Sequence, residues 1–351
     1  MKLSEIKIQF QAELSELYSK SEIEELFSIF CEHYLDLNKI ELRYSLENKL
    51  SESDSKKFSG VICELKTGKP FQQILGETEF YGMKFFVNEH VLIPRPETEE
   101  LLELAIKKIQ DSKFEIRDSR FEIQGLKVFE SAQTDNVQLD RLREPQPDKV
   151  ESELIFKSQS DNSHDNNSTN SKTLHRSKTA IKILDIGTGS GIIPIVLKKY
   201  FPEAEVSAID ISNDALEVAK RNAEFHRTKI NFIHQDYLNK VFESAETDSE
   251  IYDVIISNPP YIGIEENPEI ENSVKGFEPN LALFSPTSDA LIFYKKIAKD
   301  CKKHLAENGL LFLEINQKLG KETLELYQQG FSEVELLRDI SGNDRIIFGR
   351  K

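Results

Sequence analysis

Asn258-Pro259-Pro260-Tyr261 is the stretch of this chain whose side chains are best suited to chemistry. It follows Val254-Ile255-Ile256-Ser257, a short apolar run that reads as a buried strand. Neither proline can donate to a ladder, so the strand ends here and two carbonyls are left in a stiff loop. An Asn side-chain oxygen beside such carbonyls makes a set of acceptors that can hold an NH2 group. The adjacent aromatic ring offers a flat surface for a planar amide or base. Together they suit a planar nitrogen about to be alkylated. Asn-Pro and Pro-Pro are also ordinary turn dipeptides, so a plain strand-ending turn stays open on these four residues alone.

Upstream, Ile183-Leu184-Asp185-Ile186-Gly187-Thr188-Gly189-Ser190-Gly191 reads as a strand, a glycine turn and the start of a helix. Such a turn lets backbone approach a ligand with no Cβ in the way. Pro194 falls in the first turn of the helix, where a missing N–H costs little. Asp210 ends the next strand, roughly 20 residues on, where a carboxylate can grip ribose hydroxyls. The run G-T-G-S-G lacks the spacing of a dinucleotide fingerprint, and Asp185 just before it would repel a pyrophosphate. The same carboxylate would welcome the ammonium of a methionine moiety, which favours S-adenosylmethionine over NAD. Gln235-Asp236-Tyr237 follows the third strand. Its acid and aromatic could bind an adenine amino group and cover the ring, or Asp236 could simply cap a loop. The cofactor candidates are therefore Asp185, Gly187, Thr188, Gly189, Ser190, Gly191, Asp210, Asp236 and Tyr237, with Asn258 at their border.

These residues need a frame. From Ile181 onward, strands alternate with helices: Lys182–Asp185, Glu205–Asp210, Ile230–His234, Asp253–Ser257 and Gly309–Ile315, with helices over Gly191–Tyr200, Asp214–His226 and Ala290–His304. The alternation predicts an α/β, Rossmann-like, mostly parallel sheet with helices on both faces. Ser332–Leu337 and Arg345–Phe348 add an antiparallel C-terminal hairpin.

The first 75 residues read as a small helical bundle, with Leu3, Ile6, Phe10, Leu14 and Leu17 at helical spacing and Ser21 as an N-cap three residues before Glu24. Residues 76–110 read as a linker: a hairpin turning at Gly82-Met83, then Pro94-Arg95-Pro96 opening a helix capped by Glu97 or Thr98. Residues 111–179 are polar and biased to Asn, Ser and Asp, and are expected to form a flexible insertion. Residues 180–351 then form the catalytic domain.

A formal charge of −16 over 351 residues opposes a general grip on phosphate backbones, so no direct DNA binding is expected. Cys31, Cys63 and Cys301 are far apart and show no metal spacing; no metal and no disulfide framework are expected. Neither a signal-peptide core nor a membrane-length apolar run appears, which predicts a cytoplasmic protein without membrane contact.

The glycine loop, Asp210, Asp236-Tyr237 and Asn258–Tyr261 together resemble the class I S-adenosylmethionine-dependent methyltransferases. Leu92-Ile93-Pro94-Arg95-Pro96-Glu97-Thr98-Glu99 sharpens the resemblance to the HemK/PrmC family. Ile74-Leu75-Gly76, Phe80-Tyr81-Gly82, Phe277-Glu278-Pro279, Leu313-Glu314-Ile315 and Asp339–Arg345 are further similar pieces. The resemblance implies methyl transfer from S-adenosylmethionine to the side-chain amide (N5) of the GGQ glutamine in peptide chain release factors, leaving S-adenosylhomocysteine and modulating translation termination. It implies that Asn258, Pro259, Pro260 and Tyr261 hold and orient the glutamine, with Arg95 and Glu97 shaping the substrate mouth or bracing the domain junction. It also implies that the helical N-terminal domain meets the release factor beyond the glutamine. Two departures from the family pattern are the insertion and Asn316, which stands where glycine is frequent. An adenine-N6 nucleic-acid methyltransferase would use the same acceptors but needs a basic groove. An NAD-dependent oxidoreductase would leave Asn258–Tyr261 unexplained, and a non-catalytic module would not need motifs intact at both ends of the site.

Overall fold

The computed structural model describes residues 1–112, 180–240, 250–263 and 276–351. The N-terminal part contains α1 (Leu3–Leu14), α2 (Lys20–Leu35), α3 (Lys39–Ser45), α4 (Glu52–Lys66) and α5 (Phe71–Leu75). The apolar stripe of α1 buries Leu3, Ile6, Phe10 and Leu14, but Leu17 lies beyond the helix and is exposed. Phe10 packs edge-on against Phe27 and Phe58, with ring centroids 5.4 and 6.2 Å away, and these rings centre the bundle core. The capping box of α2 is Ser19 with Glu22, not Ser21 with Glu24: Ser19 Oγ accepts from Glu22 N, and Glu22 Oε2 accepts from Ser19 N. Each such cap is worth about 1 kcal/mol.

A two-stranded hairpin follows, β1 (Glu77–Phe80) and β2 (Met83–Phe86). Its turn is Tyr81-Gly82, one residue earlier than predicted, with φ of 54° and 66°. Two left-handed residues in a two-residue loop match the twist of a hairpin. Val91 and Ile93 are buried in an extended segment that is not a strand. This segment enters α6 (Pro96–Asp111), whose N-cap is Arg95 with no side-chain cap bond. Pro96 at the first helical position replaces the cap predicted at Glu97 or Thr98, since its missing N–H is one that a helix start leaves unpaired anyway. Apart from Asp111 and Ser112 at the end of α6, the expected insertion over 111–179 lies outside the described residues.

The second part is a seven-stranded sheet. Its strands in chain order are β3 (Lys182–Ile186), β4 (Glu205–Asp210), β5 (Asn231–His234), β6 (Tyr252–Ser257), β7 (Leu305–Glu314), β8 (Glu333–Arg338) and β9 (Asp344–Arg350). The spatial order is β5-β4-β3-β6-β7-β9-β8, parallel through β7 and antiparallel at β9 and β8. The intervening helices are α7 (Ile192–Tyr200), α8 (Asn213–Phe225), α9 (Tyr237–Lys240), α10 (Asn280–Leu283), α11 (Ile292–His304) and α12 (Gly320–Tyr327). Two apolar clusters, built around Leu102, Val196, Phe312 and Phe348 and around Leu184, Tyr294, Leu311 and Ile347, use opposite side-chain parities of the central strands.

Strand order reverses between β3 and β6, which pair in parallel with Ile186 opposite Ser257. A crevice opens at the C-terminal ends of these two strands, where the strand order reverses. Bundle, hairpin and sheet belong to one compact unit.

Candidate functional site

The crevice is a cavity of ≈ 520 Å³, a size suited to a small ligand. Its floor is the loop after β3. Gly187 has φ of 76°, and a Cβ there would lie 3.9 Å from the Asn258 carbonyl oxygen. Gly191 has φ of 79°, and a Cβ would sit 2.9 Å from Ala219 Cβ on α8. At Gly187 it is the left-handed backbone rather than space that favours glycine, whereas Gly191 lets α7 dock close to α8. Asn222 on α8, fully buried, donates through Nδ2 to Ser190 O and Phe86 O and accepts through Oδ1 from Phe86 N. One side chain therefore ties the glycine loop to the hairpin.

Gly187, Thr188, Gly189, Ser190, Asp210, Asp236, Tyr237, Asn258, Pro259 and Pro260 all form the cavity wall. Asp185, Gly191, Tyr261, Arg95 and Glu97 do not. Asp210 accepts from Gly189 N at 2.8 Å and Ser212 N at 2.9 Å, so it braces the glycine loop as well as facing the cavity. Burial raises its pKa, and those amides oppose the shift. Asp185 has no exposure, and neither carboxylate oxygen has a hydrogen-bond partner. Burial pushes its carboxyl up to about 7; Asp210 adds to this, and the Thr188 hydroxyl opposes it as a nearby dipole without making a bond.

Asp236 caps α9: Oδ1 accepts from Leu238 N and Oδ2 from Asn239 Nδ2. Tyr237 is 5% exposed and donates its hydroxyl to Asp300 Oδ2 at 2.8 Å. Its ring is thus a fixed part of the wall, with Lys296 Nζ 5.1 Å from its centroid, and cannot swing across a ligand. An acidic loop, apolar walls such as Ile192 and Ile209, and a bare buried carboxylate behind the floor fit a ligand with a cationic end and a flat heterocycle.

At the opposite wall, Asn258 Nδ2 donates to Thr98 Oγ1 at 3.2 Å, and no hydrogen bond among the described residues engages Asn258 Oδ1. The Tyr261 hydroxyl donates to Glu314 Oε1 at 3.3 Å, and Tyr261 O accepts from Asn316 Nδ2 at 3.1 Å. The sequence signal for Glu314 was a charged residue closing the apolar strand Leu310–Leu313; Thr98 was hidden by its reading as a helix cap.

Arg95 Nη2 donates to Glu278 Oε1 at 2.6 Å, and Glu278 Oε2 accepts from Ile93 N at 3.0 Å. Gln73 Nε2 donates to Phe277 O at 2.7 Å. These contacts pin the segment that carries Pro279, Leu281 and Phe284, an outer wall of the cavity, to the bundle and to the approach to α6. Among the described residues, no group of three or more His, Cys, Asp or Glu is gathered as for a metal, and no helix is long and apolar enough to cross a membrane.

Two protein families match the chain: the methyltransferase small domain over residues 163–273 and the PrmC N-terminal domain over residues 5–76. A release factor glutamine methyltransferase of Flavobacterium psychrophilum is 36% identical over 348 residues, covering 99% of this chain and 98% of that protein. One of Bacteroides thetaiotaomicron is 30% identical over 98% of this chain and 99% of its own length. One of Lactococcus lactis is 33% identical over 89% and 88%.

Proposed function

The chain belongs to the release factor glutamine methyltransferase family, and from that premise we propose that it methylates the side-chain amide nitrogen (N5) of a glutamine in peptide chain release factors. The methyl donor is S-adenosylmethionine, which supplies a methyl group activated by a sulfonium centre and leaves as S-adenosylhomocysteine. Gly187–Ser190, Asp210, Asp236 and Tyr237 would hold it along the cavity wall, and Asp185 would favour its cationic end from behind the floor.

An amide nitrogen is a poor nucleophile because its lone pair is delocalised into the carbonyl. Deprotonating it fully near neutral pH is out of reach, so the enzyme must orient it instead. Asn258 Oδ1 and the Pro259 carbonyl oxygen are the two acceptors for its N–H bonds. With both held, the lone pair is directed toward the glycine-loop side of the crevice. Orientation of this kind supplies up to about 7–11 kcal/mol in well-placed pairs. The acceptors bind more tightly as the nitrogen gains positive charge, which adds electrostatic stabilisation. The methylated amide then loses its proton readily, without a strong base. Tyr261, anchored at its hydroxyl and its carbonyl, would pack beside the amide plane.

The observation that carries the reading is the side-by-side exit of the glycine loop and Asn258 from paired strands β3 and β6, with Asn258 Oδ1 left uncommitted. The helical residues 1–75 form the proposed recognition domain for the rest of the release factor. Radiolabelled methyl transfer from S-adenosylmethionine onto purified release factor is the deciding experiment, with a variant lacking the target glutamine and duplex DNA as controls. Labelling of wild-type factor alone is expected; labelling of DNA, or of the glutamine-less factor, would overturn the reading.

A further inference from the structure

We propose that Thr98 and Glu314 are positioning residues that fix which way round the Asn258 amide sits. Thr98 lies in the first turn of α6, Glu314 ends β7, and Asn258 follows β6, so three separate elements meet here. Thr98 Oγ1 donates to Glu314 Oε2 at 2.7 Å. A hydroxyl has one hydrogen. With that hydrogen committed to Glu314, Thr98 presents only lone pairs to its other neighbour. The group facing it must then be a donor, and Asn258 Nδ2 fills that position at 3.2 Å. The amide has two ends, so fixing Nδ2 on Thr98 turns Oδ1 away from it, toward the side where an NH2 group is to be held.

Glu314 can do this because it is itself held. It is 1% exposed and accepts from both Thr98 and the Tyr261 hydroxyl; burial raises its pKa, and those two hydroxyls with Arg345 oppose the shift. A flipped Asn258 would place Oδ1 against Thr98 lone pairs and Nδ2 toward the substrate N–H bonds. Both contacts would be repulsive. The chain Glu314–Thr98–Asn258 therefore passes the direction of a buried carboxylate to the acceptor that binds the glutamine.

The functional meaning rests on the glutamine reading of this site, but one arm of the test does not need it. Thr98→Val keeps the shape and removes the hydroxyl; Thr98→Ser keeps the hydroxyl and removes the methyl. For Thr98→Val, kcat toward release factor should fall roughly 10- to 100-fold, the effect of leaving one buried polar group unpaired. Cofactor affinity by calorimetry should stay within about twofold, since Thr98 is not among the groups proposed to hold it. Thr98→Ser should restore most of the turnover. Independently of activity, the Asn258 side-chain NH2 signal in selectively labelled protein should exchange with water faster in Thr98→Val by at least roughly tenfold, and near the parent rate in Thr98→Ser. Parent-like exchange in Thr98→Val, an equal loss of cofactor binding, or failure of Thr98→Ser to recover would each overturn the proposal. If the parent enzyme does not methylate release factor at all, the glutamine reading fails, and the exchange rates still decide whether Thr98 fixes the amide.

Discussion

Asp185, one residue before the end of β3, and Glu314, at the end of β7, are both buried carboxylates at the C-terminal edge of the sheet, and their surroundings are opposite. Burial raises the pKa of both carboxyls, but Glu314 accepts two hydroxyl hydrogens and has Arg345 nearby to oppose the shift. Asp185 accepts none. A buried charge without partners costs the folded state free energy, and it persists where something outside the chain compensates it. On the proposed reading Asp185 would serve the binding of a cationic ligand, whereas Glu314 would serve the internal architecture of the acceptor wall. Asp185 makes no hydrogen bond, while the wall of Thr98, Asn258, Tyr261 and Glu314 is tied together by them.

The largest effect should come from the substrate side. Asn258→Ala removes an acceptor used in the transition state, and turnover should fall by roughly 10²–10³-fold, the scale seen when one such preorganised group is removed. Cofactor affinity, measured by calorimetry, should change far less. Equal losses in both would mean that Asn258 serves the cofactor side and that the division between the two walls is wrong.

Asp185→Asn should act on the other side and with two signs. The Asp185 carboxyl is raised from 3.8 to about 7 in the folded protein, so below about 7 the folded state holds a proton that the unfolded chain releases. Stability of the ligand-free enzyme should then fall as pH rises from about 4 toward about 7. Asp185→Asn should flatten that slope and raise stability at pH 8 by about 2 kcal/mol, read from chemical denaturation. The same change should weaken cofactor binding roughly tenfold, because one partly screened charge is lost. In the parent, cofactor affinity should increase with pH through about 7, with proton release below that pH seen as a buffer-dependent calorimetric enthalpy. Glu314→Gln should not stabilise in this way: burial raises this carboxyl too, but the Thr98 hydroxyl, Arg345 and the Tyr261 hydroxyl oppose the shift, so stability at pH 8 should stay within about 1 kcal/mol of the parent. Stabilisation by both substitutions would erase the contrast.

The same contrast governs what could be read from sequence. The glycine loop, Asp185, Asp210 and Asn258–Tyr261 are contiguous motifs at strand ends, and strand periodicity placed all of them. Strands such as Glu205–Asp210 matched residue for residue because a short, largely apolar run is bounded by polar residues. Ser19 displaced Ser21 as a cap, and Tyr81 joined Gly82 in the hairpin turn, because such boundaries are settled by one hydrogen bond or one dihedral rather than by periodicity. Thr98, Glu314 and Asn258 lie far apart in the chain, and only the sheet order brings them together. No local pattern encodes a contact of that separation. Tyr261 lies between these cases: its motif was legible, but the contact of its hydroxyl with Glu314 was not.

Asn316 offers the finest test of how tightly the acceptor wall is held. Its backbone, at φ −64° and ψ 121°, is in an ordinary extended region and does not require glycine. Its side chain is engaged at both ends, Nδ2 donating to Tyr261 O at 3.1 Å and Oδ1 accepting from Lys318 N at 2.9 Å. It thereby holds the acceptor loop at the Tyr261 carbonyl, as Glu314 holds it at the Tyr261 hydroxyl. Replacing it with glycine leaves the fold intact but frees the Tyr261 carbonyl and loosens the turn into α12. Asn316→Gly should lower kcat only about two- to fivefold, in proportion to roughly 1 kcal/mol of lost hydrogen bonding, with cofactor affinity unchanged. Combined with Thr98→Val, it should cost more than the sum of the two changes taken singly, because both restrain the one short loop from Asn258 to Tyr261. Simple additivity in that double-mutant cycle would mean that the two restraints act on separate groups and that the wall is not held as a unit.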